Sequence, residues 1–321
     1  MTPDTTSTTA PAPKAPPAAA ATTAVPPPQT GQVWINGDLV PAAQAQVSVF
    51  DHGLLYGDGV FEGIRIYGGR VLKLDTHLRR LDASARAIRL SIPYAHEALA
   101  EAVRSTCRAN DVADGYVRLV VTRGVGPLGI NPFQCQAPRV IVIAARLKLF
   151  PASLYEQGVR VVFSSYLRNH PQALSPRIKS LNYLNNVLAK AEAIEAGADE
   201  AILFNHLGHV AEGGAENLFL VRHGSGASEL LTPSLECGPL AGVTRGIVLE
   251  LAERMGLPTR ETVLTRFDIQ TADEAFFTGT GAEIVPVVNA GGAVIGAGVP
   301  GPVTRRVIHA FREYVAEAPE D

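Results

Sequence analysis

Lys179 stands in Pro-Arg-Ile-Lys-Ser-Leu-Asn-Tyr-Leu-Asn-Asn (176–186), between a proline-broken loop and a long alanine-rich helical run. An amine held on a fixed element can condense with an aldehyde to form a Schiff base, whereas the ordinary alternative is a hydrated surface cation. The Schiff-base reading makes demands on the rest of the chain, because an aldehyde cofactor must be gripped separately at its ring and at its phosphate. A carboxylate has to face the ring nitrogen, whose proton makes the ring an electron sink. Glu212, in Val-Ala-Glu-Gly-Gly-Ala-Glu-Asn-Leu-Phe (210–219), is the candidate. It is expected between two strands, Gly213 and Gly214 permit close approach of backbone to a flat ring, and a second polar pair, Glu216-Asn217, follows directly. The plainer alternative is a solvated turn acid.

A phosphate is best received at a helix start, where backbone N–H groups lack partners and the dipole is positive. Gly-Pro-Leu-Ala-Gly-Val-Thr-Arg (238–245) meets this need: Gly242 frees the backbone, Thr244 offers a hydroxyl, and Val243, Ile247 and Leu251 begin an amphipathic helix. A simple N-cap is the other reading. Arg80, in His-Leu-Arg-Arg-Leu (77–81), can supply a fixed cation, or be a surface charge. Tyr183 follows Lys179 by four residues, so on a helix the two share a face and the phenol can reach a cofactor oxygen; packing alone is the alternative. Gly-Val-Gly-Pro-Leu-Gly (124–129) matches the dinucleotide pattern G-x-G-x-x-G, but Pro127 and Asn131-Pro132 leave no helix for a pyrophosphate.

The elements that must position these residues form two groups. A hairpin around Asn36-Gly37, strands over 61–74 around Gly68-Gly69, a helix from Thr76 carrying Leu78, Leu81, Ala85 and Ile88, a helix over 95–109 and strands over 116–122 and 140–145 make a small domain, 31–147. Pro151 and Gly158 mark a linker over 148–158. A larger domain, 159–321, is predicted with strands over 159–164, 200–204, 217–222, 274–278 and 284–288 and helices over 180–196, 243–255 and 302–316. Residues 1–30, almost wholly Thr, Pro and Ala, are expected to be a disordered tail and match neither a secretory signal nor a transit peptide.

With 321 residues and 46% hydrophobic content the chain can bury two cores. A net charge of −3 with interspersed signs offers no basic face for nucleic acid. Apolar runs fall short of the roughly 20 residues of a membrane helix. Three separated cysteines imply neither a disulfide framework nor a metal site, and point to a reducing, cytoplasmic compartment.

The six segments 49–65, 77–81, 178–186, 211–219, 240–245 and 276–284, in that order, resemble the class IV (fold-type IV) pyridoxal-phosphate aminotransferases, most closely their branched-chain amino acid members. The likeness runs from about residue 33 to about 315. It implies an α/β (α+β mixed) architecture of the D-amino acid aminotransferase type, a small α/β domain beside a larger pseudo-barrel domain, with the site between them. It also implies pyridoxal 5′-phosphate as cofactor, with Lys179 as its imine partner. Arg80 would lie on the phosphate, Tyr183 near the ring oxygen, Glu212 at the ring nitrogen and Leu240 against the ring. Gly242, Val243 and Thr244 would form the phosphate cup, and Thr280 would bridge phosphate and substrate.

Tyr116 and Thr280-Gly281 would hold the substrate carboxylate, Arg118 the side-chain carboxylate of glutamate, and a neighbouring subunit of a homodimer, or of a larger assembly of dimers, would lend Tyr56. Phe61, Gly63 and Tyr56 suggest an apolar wall for leucine, isoleucine or valine. The implied reaction transfers their amino groups to 2-oxoglutarate. Rivals on the same fold are D-amino acid or (R)-amine transaminases and aminodeoxychorismate lyase; a rival of another class is a non-catalytic binding relative. Gly281 departs from the alanine common at that position.

Overall fold

The computed structural model describes residues 31–146, 150–224 and 226–318, so the expected tail lies outside the described residues, as does part of the expected linker. The first half of the chain comprises β1 (Gln32–Ile35), β2 (Asp38–Pro41), α1 (His52–Tyr56), β3 (Gly59–Tyr67), β4 (Arg70–Val71), α2 (Leu74–Ala87), α3 (His96–Ala109), β5 (Gly115–Thr122) and β6 (Arg139–Ala145). Its strands form one antiparallel sheet in the order β2-β1-β6-β5-β3-β4. Strand alternation sends Val60, Ile64 and Ile66 to one face, where they meet Leu78, Leu81 and Ala85 of α2 and Leu99 and Val103 of α3 in a core. The opposite face of β3 and β5 carries Phe61, Gly63, Tyr116 and Arg118 and is left for the site.

The second half contains α4 (Ala152–Gln157), β7 (Val159–Phe163), α5 (Leu184–Glu195), β8 (Glu200–Phe204), β9 (Val210–Gly213), β10 (Asn217–His223), β11 (Ser228–Pro233), α6 (Val243–Arg254), β12 (Thr259–Thr262), α7 (Arg266–Gln270), β13 (Glu274–Gly279), β14 (Glu283–Ala290), β15 (Ala293–Val294) and α8 (Pro302–Glu317). Its sheet is mixed, in the order β12-β11-β10-β13-β14-β7-β8-β9, with β15 on β14. β9 lies back against β10 and β11, so the sheet curls into the expected pseudo-barrel. The turn at 182–183 delays the predicted helix over 180–196 until Leu184, and α4 occupies most of the stretch expected as linker.

Both faces of the central strands are covered, which is why Asn-Leu-Phe-Leu-Val reads as a continuous apolar run. Leu218 and Leu220 point into one core, and Phe219 and Val221 into another beneath α6 and α8. There Phe219 stacks on Phe276 with ring centroids 5.2 Å apart and planes 8° from parallel. Among the described residues no helix is long and apolar enough to cross a membrane. Phe276→Ala, which removes a fully buried ring, is expected to cost about 3–5 kcal/mol of stability, measured by urea unfolding at fixed protein concentration.

Candidate active site

The site depends first on where the Lys179 segment is tied. β4 covers only the far end of β3, leaving the edge at 59–61 open. Residues 179–181 fill it: Phe61 N–H donates to the Lys179 carbonyl at 3.0 Å and Leu181 N–H to the Gly59 carbonyl at 3.0 Å. Ser84, on the buried stripe of α2, accepts from the Lys179 N–H at 3.2 Å. These bonds fix the backbone, and the side chain enters a cavity of about 330 Å³ between the two sheets.

Lys179 Nζ lies 4.6 Å from the centre of the Phe61 ring and donates to the Tyr183 hydroxyl at 3.2 Å. The expected neighbourhood of lysine and tyrosine therefore holds, but not for the reason expected. Both precede α5, and a turn, with Tyr183 N–H bonded to the Leu181 carbonyl, brings them together in place of helical spacing.

Glu212 is a residue of β9 itself and is buried, not a solvated turn acid between strands. Its Oε1 accepts from Arg168 Nε at 2.7 Å, and its Oε2 accepts from the Leu240 N–H at 2.9 Å and from Asn217 Nδ2 at 3.2 Å. Asn217 also donates to the Leu240 carbonyl at 2.9 Å, so the carboxylate and the approach to α6 are one connected structure. Sequence reasoning did not find Arg168. Nothing near it in the chain marks it, because its partner lies 44 residues away.

Two residues beyond Leu240, α6 starts at Gly242, its N-cap, with no side chain capping the first turn. A Cβ at Gly242 would overlap the Asn217 side chain, so the close approach requires glycine. Val243, Thr244 and Arg80 line the cavity there, and the hydroxyl of Thr278, another residue of the lining, is buried without a hydrogen-bond partner among the described residues. Uncapped N–H groups, a hydroxyl, an arginine and an orphaned hydroxyl form a donor set for an oxyanion such as phosphate. With Glu212 for a ring nitrogen and Lys179 for a carbonyl, the residues fit a phosphorylated pyridine aldehyde.

The remaining wall comes from the first sheet. Arg118 stacks over Phe61, 4.5 Å from its centre, and Arg118 Nη2 donates to the Tyr116 hydroxyl at 3.3 Å. Gly63 makes room for that tyrosine, since a Cβ would overlap its hydroxyl. Opposite, the turn Gly279-Thr280-Gly281-Ala282 closes the cavity. The next residue, Glu283, has a left-handed φ of 59° and is held by Arg65 and Tyr67 of β3 at 3.1 and 3.0 Å, which anchors the turn to the other sheet.

All the sequence-predicted site residues line this cavity except Tyr56. Tyr56 is 39% exposed, and its hydroxyl donates to the Leu128 carbonyl.

A fold of one antiparallel sheet facing a curled mixed sheet, with a lysine, a buried carboxylate and an open helix start around one cavity, defines a class of pyridoxal-phosphate enzyme. Residues 59–290 match the family model described as amino-transferase class IV, and the chain belongs to that family. A Methanocaldococcus jannaschii protein, provisionally named a branched-chain-amino-acid aminotransferase, is 45% identical over 282 residues, covering 88% of this chain and 96% of that protein. The Escherichia coli branched-chain amino acid aminotransferase structure superposes with a TM-score of 0.85 at 36% identity, covering 88% of this chain and 94% of that one. The branched-chain aminotransferase of the thermophilic archaeon Thermoproteus uzoniensis, solved with norvaline, gives 0.81 at 38% identity, covering 89% and 95%. A further branched-chain amino acid aminotransferase, complexed with N-(5′-phosphopyridoxyl)-L-glutamate, gives 0.83 at 37% identity, covering 90% and 95%.

Glu216, the acid of the second polar pair, also lines the cavity. Burial, reinforced by the nearby Glu200 charge, pushes its carboxyl up to about 8. The protonated form is therefore the native one between the ordinary carboxylate range and pH 8. Over that interval the unfolded chain loses a proton that the folded chain keeps, so this group's effect is to lower stability as pH rises. Glu216→Gln, neutral at every pH, is expected to gain on the wild type by about 1.4 kcal/mol per pH unit between pH 5 and 8, as measured by urea unfolding across that range.

Proposed function

We propose that this chain transfers the amino group of branched-chain L-amino acids to 2-oxoglutarate, giving 2-oxo acids and L-glutamate, with pyridoxal 5′-phosphate as cofactor. The observation that carries this reading is the convergence on one cavity of the Lys179 amine, the Glu212 carboxylate and the open start of α6 with Arg80. When bound, the cofactor supplies a carbonyl that condenses with amines and a ring that takes up the electron pair of a broken Cα–H bond. Lys179 is the amine that holds this carbonyl at rest.

With the cofactor bound, Lys179 Nζ would be the group that takes the substrate's Cα proton as base and gives it back as acid. Tyr183, hydrogen-bonded to Nζ, would orient that amine. Glu212, fixed by Arg168, Asn217 and the Leu240 N–H, accepts from a protonated ring nitrogen. Gly242, Val243 and Thr244 with Arg80 would receive the phosphate, Leu240 would lie against the ring, and Thr280 would serve phosphate and substrate.

The substrate's α-carboxylate goes to Tyr116 and the Thr280-Gly281 turn. Phe61 and Gly63 form the side-chain wall. Arg118, lying over Phe61, presents a cation to a second carboxylate, so one pocket serves leucine-like chains and glutamate in turn.

A homodimer is part of this reading. Val49, Phe50, Leu54, Leu128, Ile130 and Phe133 are exposed on the loops around α1 and 125–133, and clustered exposed apolar side chains mark an interaction surface. Tyr56 lies on that surface and outside its own cavity, a position suited to service in a partner's site. Its three free cysteines suit a reducing, cytoplasmic compartment.

Purified protein is expected to absorb in the near-visible and to turn over L-leucine with 2-oxoglutarate, and Lys179→Ala to lose at least about 10²-fold in rate. Full turnover by Lys179→Ala would contradict the reading, and a protein active only on D-alanine or (R)-amines would contradict its substrate. Arg118→Leu should raise KM for 2-oxoglutarate about 10- to 100-fold, the value of a charge-assisted hydrogen bond, while KM for L-leucine changes little; steady-state kinetics with each substrate varied separates the two.

A further inference from the structure

Behind the phosphate end of the cavity, two buried side chains to which the reaction gives no task, Glu62 and His77, adjoin Arg80. Glu62 lies on the β3 face otherwise occupied by Val60, Ile64 and Ile66, where a carboxylate breaks the apolar alternation, and it is 0% exposed. His77, on the buried stripe of α2, is 1% exposed. Arg80, one turn further along α2, completes the group with only 14% of its side chain accessible. Burying a carboxylate and a guanidinium is commonly no better for stability than packing apolar side chains of the same volume. A role in the fold alone therefore accounts poorly for the cluster.

Its geometry has a direction. Arg80 Nε donates to Glu62 Oε1 at 2.7 Å and Nη2 donates to Oε2 at 2.7 Å, a side-on bidentate pair. Nη1 donates to the Ala241 carbonyl at 2.7 Å, immediately before the cap of α6. A guanidinium has five N–H hydrogens, so two remain, one on each terminal nitrogen, and Arg80 is among the residues that line the cavity.

Glu62 Oε2 also meets His77 Nδ1 at 2.7 Å. Burial opposes charge on Glu62, but Arg80 and His77 outweigh it and hold the carboxyl well below the usual carboxylate range. An ionised carboxylate only accepts, so His77 carries its proton on Nδ1. Burial pulls the His77 imidazole below its ordinary range against the pull of Glu62, which makes it a donor without charge at neutral pH.

We propose that Glu62 is a positioning residue for the cofactor phosphate, acting through Arg80: it locks the guanidinium edge-on and commits the two remaining N–H groups to the cavity. His77 holds the carboxylate from behind. The proposal rests on the reading above that Arg80 and the start of α6 hold a phosphate. Its consequence is that Arg80, already neutralised by Glu62, recognises the phosphate by direction more than by net charge.

The test compares equilibrium binding of pyridoxal 5′-phosphate and of pyridoxal, which lacks the phosphate, to the full chain freed of cofactor by dialysis. Glu62→Gln places an amide N–H against the guanidinium, and is expected to weaken pyridoxal 5′-phosphate about tenfold, the scale at which partners that orient metal ligands act, with pyridoxal changed less than about twofold. Glu62→Asp should recover part of the loss, and in an Arg80→Ala background Glu62→Gln should add none. Equal loss of both ligands, or an added loss in the Arg80→Ala background, overturns the positioning role. Should Glu62→Gln not fold, an unchanged ratio of the two affinities in Glu62→Asp overturns it equally. Arg80→Ala with an unchanged ratio overturns the phosphate reading itself, and so is distinguishable from failure of the proposal.

Discussion

The short backbone pairing of residues 179–181 with the open edge of β3 is the constraint on which the rest of the site depends. It carries a lysine from the second half of the chain onto the sheet built by the first half. An amine on a loop has many rotamers and backbone states, and ordering them costs free energy at each use. Two main-chain hydrogen bonds and the Ser84 contact remove most of that freedom before any ligand arrives. The cavity follows from the same pairing, since its walls are the outward face of β3 and β5 on one side and the ends of β9, β10 and β13 on the other.

Three buried carboxyls around this cavity show how surroundings, not residue type, set chemical character. Glu62 is enclosed by Arg80 and His77, and the Arg80 charge with the hydrogen bonds from both keeps it ionised in spite of burial. Among the described residues Glu216 has no cation in hydrogen-bond contact, and it lies near Glu200, so burial prevails and it keeps its proton at neutral pH. Glu212 stands between these environments in a different sense: one oxygen faces Arg168, and the other is shared by the Asn217 side chain and the Leu240 N–H. That second oxygen links the Glu212 carboxylate to the start of α6 through three consecutive residues, 240–242, which sets the spacing of the two.

The opposite wall answers a different demand. Under the proposed reaction the pocket would accept an apolar chain and a carboxylate-bearing chain in turn, and would need a cation that does not leave an apolar ligand facing bare charge. Arg118 stacked over Phe61 and hydrogen-bonded to Tyr116 is such an arrangement, because the aromatic face and the phenol satisfy the guanidinium when no carboxylate is present.

Much of this protein was legible in the chain itself. Period-two alternation in Val60 to Ile66 and the helical stripe of α2 are local consequences of side-chain direction, so the principal strands and helices could be read without tertiary information. Glycines at 63 and 242 and the lysine, carboxylate and helix-start motifs, each singled out for a separate chemical need, meet around one cavity. Strands β9, β11 and β12 were not anticipated: they are short, and their pairing partners are chosen by the closing of the barrel. Tertiary structure alone decided that Arg168 meets Glu212, that Glu62 and His77 brace Arg80, and that Lys179 reaches Tyr183 through a turn and not along a helix. Each of these is a contact between side chains whose meeting depends on how sheets and helices pack, and no local periodicity encodes it.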